Sequence, residues 1–215
     1  MPAPLAAAAA DLRVLLGRGY PRERSLALVG DRHGLDASQR ELLRRGVAAP
    51  AAAAARRAKL LGLDALVGRA VALDGHNLLI TLETALMGGR LLWCDDGVVR
   101  DIARMGRRHR PGPLTLRAAG LLLAALAGAA RVDVYLDAPL PKSGELAAEL
   151  RGMLAGHGLM GDAQALAVPE RALLVHAGPV ASGDSHLIDH VAAPVDLAGL
   201  VIRGLDPRPN LESLV

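Results

Sequence analysis

The stretch Val71–Glu83, VALDGHNLLITLE, constrains this chain more than any other. Val71, Ala72 and Leu73 form an apolar run without polar alternation, the pattern of a strand covered on both faces of a parallel sheet. Asp74 and Gly75 end the run, His76 and Asn77 follow, and a second apolar run contains Glu83. Ligands of open α/β sheets bind at the carboxyl ends of the strands, so Asp74 stands where chemistry is done. Three more apolar runs end in acids. Leu91–Cys94 leads into Asp95 and Asp96, Val132–Leu136 into Asp137, and Val180-Ala181 through Ser182-Gly183 into Asp184. As parallel strands of one sheet, these runs would bring four acids to one edge. Crowded carboxylates raise each other's pKa unless a cation neutralises them, and oxygen-only ligands suit magnesium or manganese. The competing reading is that Asp merely ends strands, because it favours turns and helix caps.

From Leu66 onward, strands are expected at 70–74, 91–95, 131–137, 164–168 and 178–182. Helices are expected at 77–87, 113–129, 143–156, 185–192 and 196–203. That alternation predicts an α/β fold, a parallel sheet flanked by helices. The first part reads as a small all-α module with helices Leu5–Leu16, Arg22–His33, Ala37–Gly46 and 48–61. Gly34 closes the second of these, Asp36 and Gln39 fit a capping box, and Pro50 starts or kinks the fourth. The boundaries predicted are a basic helical module at 1–65, an α/β domain at 66–205 and a loose tail, with two prolines, at 206–215.

Apolar residues are 52% of the chain, enough for a sizeable core, yet Phe is absent, so Leu, Val, Ala and Ile must build it. The single cysteine, Cys94, excludes a disulfide framework and a thiolate metal cluster. Leu114–Ala130 is the nearest approach to a membrane span, and Arg117 interrupts it. The N-terminal apolar stretch has no basic segment ahead of it, a poor signal peptide, so a cytoplasmic protein is expected. A net charge of +3 permits a polyanionic partner without requiring one. The glycine spacing and Gly-Lys-Ser order of a phosphate loop are missing, which excludes a nucleoside triphosphatase of that kind.

Further residues could serve such a site. Asn77 is placed to bond a metal-bound water or to cap the following helix. Glu83, among Leu79, Ile80, Leu82 and Leu86, either points back to the acidic edge or lies on an exposed outer face. One of Asp95 and Asp96 is expected to serve as a ligand, and Asp189 lies about one turn beyond Asp184. Lys142 and Ser143, the latter read as an N-cap, open a helix and form an anion site. Arg100 is expected either to pair with an acid or to hold a phosphate, and Arg107, Arg108, His109 and Arg110 of the basic loop MGRRHRPG are the RNA backbone contacts expected. A solvated loop and plain surface arginines are the alternative.

LDGHN at 73–77, YLDA at 135–138 and ASGD at 181–184 resemble, in order, the strand-end motifs of PIN-like nucleases, most closely their NYN branch, with His76 in place of an aromatic residue. The chain as a whole also resembles a prokaryotic two-part family of unknown function. Its short basic part lies around GYPRERSLALVGDR, and its C-terminal part contains LDGHNLLITLE, CDDGVVRD and SGDSHLID. The PIN resemblance covers about residues 68–203 and implies a PIN-like three-layer sheet and a metal-dependent ribonuclease. By position, Asp74, Asp137 and Asp184 match its catalytic and metal-holding acids, with one or two Mg2+ or Mn2+ ions as cofactor. Asp96 and Glu83 enter on geometry alone, and Glu145, Glu149 and Asp162 compete for a further acid position. The expected partner is RNA; no membrane partner is expected, and a homodimer stays open. An RNA-binding protein without catalysis, or a phosphatase of a small phosphorylated molecule, are the alternatives.

Overall fold

The computed structural model describes residues 3–102 and 109–214. In chain order the elements are α1 (Ala3–Gly17), α2 (Arg22–Arg32), α3 (Ala37–Gly46), α4 (Pro50–Lys59), β1 (Ala70–Asp74), α5 (Gly75–Leu86), β2 (Leu91–Trp93), β3 (Val99–Asp101), α6 (Pro113–Ala124), β4 (Arg131–Asp137), α7 (Ser143–Gly156), β5 (Gly161–Leu166), α8 (Pro169–Leu174), β6 (Val180–Ala181), α9 (Ser185–His190), β7 (Pro194–Val195), α10 (Leu197–Arg203) and β8 (Leu211–Ser213). They form two compact units. The first combines Met1–Ala58, Arg90–Ile102 and Asn210–Val215; the second combines Lys59–Gly89 and Ala103–Pro209. Among the described residues, no helix is long and apolar enough to cross a membrane.

The first unit packs its N-terminal helices with a three-stranded sheet of order β3-β2-β8. β2 runs antiparallel to β3 and parallel to β8. Leu12, Leu26, Val29, Leu42 and Leu43 of the helices share one buried cluster with Leu92, Cys94 and Leu214. Asp36 and Gln39 cap the N-terminus of α3 as expected: the Gln39 N–H donates to Asp36 Oδ1 at 2.8 Å, and the Asp36 N–H donates to Gln39 Oε1 at 3.0 Å. Two sequence expectations are corrected here. The strand expected at 91–95 is Leu91–Trp93, and it belongs to this sheet and not to the large parallel one, since an apolar run shows that a strand is buried but not against what. Residues 206–215, expected as a loose tail, supply β8, because Leu214 is buried in that same cluster. The elements of residues 3–66 are all helical, as expected; the strands of this unit come from later in the chain.

The second unit is an α/β fold around a five-stranded sheet of order β5-β4-β1-β6-β7. Every strand pair in it is parallel. Helices α5, α6, α7 and α10 pack on one another, α5 and α7 against β4, while α8 and α9 pack together with α8 against β1 and β4. Successive β4 residues divide accordingly: Val134 and Leu136 approach the start of α5, while Tyr135 packs with Ala72, Leu173 and Leu187. Gly75 is required where α5 leaves β1. A Cβ there would meet Leu136 Cδ2 at 2.6 Å, Val134 Cγ1 at 2.9 Å and the Tyr135 carbonyl oxygen at 3.0 Å. β1, β4 and α7 have the expected limits, whereas β5 begins earlier than predicted, α6 ends sooner, and α8 and β7 were not foreseen. In this strand order the connections out of β1 run to one side and β6 lies on the other, so a crevice opens at the carboxyl ends of β1 and β6.

Candidate functional site

Asp74 ends the central strand β1, Asp137 ends the neighbouring β4, and Asp184 follows β6 on the other side as the N-cap of α9. Two short loops fix the geometry. Ser182, buried after β6, donates its hydroxyl to Asp74 Oδ2 at 2.7 Å and accepts the Asp184 N–H at 3.0 Å. Asn77, one turn into α5, accepts the Gly183 N–H on Oδ1 at 2.7 Å. Asp184 Oδ1 accepts the N–H groups of His186 at 2.7 Å and Leu187 at 3.1 Å. Burial pushes the Asp74 carboxyl up to about 7; the Ser182 hydrogen bond opposes this, and the charges of Asp137 and Asp184 add to it. Asp74 is thus the centre of an acidic edge, steadied by the Ser182 hydroxyl and the Asn77 backbone N–H.

Beneath this edge lie three buried polar side chains. His76 is 2% exposed, His109 5% and Glu83 6%. The Asp137 N–H donates to His76 Nδ1 at 2.9 Å, and Asp137 Oδ2 stands 3.3 Å from the same nitrogen. His109 Nε2 is 2.8 Å from Glu83 Oε1. The two imidazoles meet edge to face with ring centres 6.0 Å apart. His76 Nε2 and His109 Nδ1 are both buried without a hydrogen-bond partner. Glu83 is therefore buried and not on an exposed outer face, with one of its oxygens held by His109.

The remaining sequence candidates are dispersed. Asp95 and Asp96 belong to the first unit. Asp95 accepts two hydrogen bonds from Arg13, at 2.9 and 2.7 Å, and the Ala48 N–H at 3.2 Å. Asp96 is gripped by Arg100 at 2.9 and 2.8 Å and by Arg56 at 3.1 Å. Burial pushes the Asp96 carboxyl up, but the two guanidiniums outweigh it and hold it below the usual carboxylate value. Asp96 is thus an ion-pair carboxylate within the first unit, and Arg100 is engaged with it rather than open to phosphate. Ser143 is the first residue of α7 and not its cap; that position is Lys142, in the left-handed region at φ 62°. The Ser143 hydroxyl lies 2.6 Å from the Asp137 carbonyl and 2.8 Å from that of Leu140, which turns it inward. Lys142 is exposed and pairs with Glu145 at 3.3 Å. Asp189 and Arg110 are exposed, and Arg107 and Arg108 lie outside the described residues. Among the described residues, no group of three or more His, Cys, Asp or Glu side chains is arranged to hold a metal ion.

Residues 63–200 match the family described as a domain of unknown function, DUF5616. The chain belongs to that family. Ahead of the DUF5616 domain, residues 4–59 match a second family, a protein of unknown function, DUF434. The chain is also similar to the uncharacterized protein MJ0935 of Methanocaldococcus jannaschii, 28% identical over 153 residues that cover 71% of this chain and 74% of the relative. No solved structure matches it. Within the DUF5616 span, sequence reasoning gave Ser182 and His76 no role of their own and expected His109 at a nucleic-acid backbone, whereas it is buried against Glu83. Ser182 had a usable signal, since it lies between a strand end and a cap aspartate; His109 had none, being one imidazole in a run of arginines.

Proposed function

We propose that this DUF5616 protein is a metal-dependent nuclease acting on RNA, with a PIN-like α/β domain as its catalytic part. The observation that carries the reading is that Asp74 and Asp137 end adjacent parallel strands and Asp184 caps the helix after the next one, with Asp74 raised to about 7 by burial and by the charges of the other two. An all-oxygen donor set that is short of positive charge fits a hard divalent cation. Asp74, Asp137 and Asp184 would hold one or two Mg2+ or Mn2+ ions, which supply Lewis-acid charge and lower the pKa of bound water. Ser182 and Asn77 then act as positioning groups, the first orienting the Asp74 carboxyl and the second fixing the Gly183 backbone before Asp184. Exposed Lys142, at the start of α7, is the phosphate contact nearest to Asp137 in the chain.

Cleavage of single-stranded RNA should require Mg2+ or Mn2+ and stop on chelation. Asp184→Asn should lose cleavage while keeping RNA affinity, since cationic side chains bind the backbone and the acids hold ions. Purified protein that cuts neither RNA nor DNA with either metal, with Asp184→Asn indistinguishable from the unsubstituted chain, would overturn the reading. One observation favours a second reading, RNA binding without cleavage: the described acidic side chains are not drawn together into a ligand group. Retained RNA affinity without any metal-dependent cleavage is the result that selects it.

A further inference from the structure

The ends of the buried polar chain under Asp137 fix everything between them. A backbone N–H can only donate, so the Asp137 N–H at 2.9 Å makes His76 Nδ1 an acceptor. Neutral His76 then carries its proton on Nε2. At the other end an ionised carboxylate can only accept, so Glu83 at 2.8 Å makes His109 Nε2 the donor. Neutral His109 then has its lone pair on Nδ1. The two buried nitrogens without partners are therefore complementary: His76 Nε2 offers a proton and His109 Nδ1 offers a lone pair. Their rings meet with centres 6.0 Å apart. One water, with hydrogen bonds of about 2.8 Å on each side, spans two atoms up to about 6 Å apart. Burying two such groups unsatisfied is costly, and one bridging molecule satisfies both.

We propose that Glu83 and His109 are positioning residues for Asp137, acting through His76 and one buried water that accepts from His76 Nε2 and donates to His109 Nδ1. Every hydrogen bond in the chain then points the same way, from the Asp137 N–H through His76, water and His109 to Glu83. The Glu83 charge ends a buried series that holds the backbone under a site carboxylate, in the manner of carboxylate–histidine pairs behind metal ligands. The approach of Asp137 Oδ2 to His76 Nδ1 at 3.3 Å is not a hydrogen bond in this tautomer, which leaves that carboxylate free to face the crevice. The inference rests on reading Asp137 as a site acid; neither ring changes charge in it.

Long-range 15N–1H NMR of the full metal-free chain, labelled with 15N-histidine, reads the tautomers directly. Both rings should be neutral with the proton on Nε2, and the His76 ring should show a cross-peak to a bound water. His109→Phe keeps a ring and removes both nitrogens, and Glu83→Leu removes the terminal acceptor. Each should speed exchange of the Asp137 amide about fivefold, the factor for one hydrogen bond, and weaken Mn2+ binding about tenfold. Glu83→Gln, which keeps an accepting oxygen, should restore Asp137 exchange to the original rate. A His76 proton on Nδ1, where it would donate to Asp137 Oδ2, overturns the proposal, and so does an Asp137 amide indifferent to both disruptive variants. The tautomers and the amide decide the inference alone. Failure of the unsubstituted chain to bind Mn2+ counts instead against the proposed metal site.

Discussion

The dipeptide Asp-Gly occurs after an apolar run in each unit, as Asp74-Gly75 and as Asp96-Gly97, and the two copies have opposite electrostatics. Asp96 lies between two guanidiniums that hold its carboxyl below the usual value against the effect of burial. Asp74 lies among other acids, and burial carries it up to about 7. The glycines differ as well. Gly97 adopts a left-handed φ of 81° that a turn requires, whereas Gly75 is needed for lack of space against β4. One motif thus serves as a structural ion pair in the first unit and as a poised acid in the second. What separates them is the charge brought to each, from nearby Arg100 and distant Arg56 for the one and from Asp137 and Asp184 for the other.

The sharpest way to break this contrast is to remove each carboxylate. Asp96→Ala takes the shared anion from two largely buried guanidiniums and should cost about 3–5 kcal/mol in urea unfolding; a loss under about 1 kcal/mol would remove Asp96 from the structural role. Asp74→Asn should act in the opposite direction. It should leave the metal-free protein about 1–3 kcal/mol more stable at pH 8, while abolishing Mn2+ binding in a titration. The sign follows from linkage. A carboxyl whose folded pKa is raised from 3.8 to about 7 contributes its stability fully below 3.8 and loses it as pH rises through 7. The gain from Asp74→Asn should therefore shrink from pH 8 downwards and vanish below about pH 4. For Asp96, held low, the contribution is present above its unfolded value and is lost as pH falls through its folded pKa.

Smaller effects sharpen the comparison. Gly75→Ala forces a methyl against β4 and should cost about 2 kcal/mol in thermal or urea unfolding, as overpacking does. Gly97→Ala, strained only through its φ, should cost about 1 kcal/mol. The smallest change is expected for Ser182→Ala, about 1 kcal/mol or less. Its better readout is the Asp74 carboxyl resonance in 13C NMR. Because the Ser182 bond holds the Asp74 carboxyl down, its midpoint should move above the unsubstituted value. A midpoint that stays put would mean the hydroxyl is not turned toward Asp74.

Much of the second unit was legible because its signals are local. The apolar runs at β1 and β4 end at acids, and α7 spans its predicted residues, since strand and helix periodicity need no partner to be read. The strand at Leu91 was misassigned because its partner strand is built from Leu211–Ser213, more than a hundred residues away. Three aspartates could be nominated from their strand-end positions alone. The pairing of Asp96 with Arg100, four residues on, lay within reach of the sequence, but its second guanidinium, Arg56, and the Glu83 partner His109 did not, since no spacing links them. Ser143 and Arg100 fit patterns for anion binding, yet each is turned to a nearer group, a carbonyl in one case and a carboxylate in the other.

The buried cluster of the first unit joins Leu12 to Leu214, and the Arg13 guanidinium reaches the Leu214 carbonyl at 3.1 Å. This has a temporal meaning. As the chain leaves the ribosome, α1 to α3 emerge early with Leu12, Leu42 and Leu43 ready on their inner faces, but the residue that completes their core is almost two hundred positions behind. Until residue 214 has been made, those helices carry an incompletely covered apolar surface, while most of the parallel sheet has already left the tunnel. The unit that begins first in synthesis is thus the last that can be finished, and its early helices are where a nascent chain of this kind would most need a chaperone's shelter.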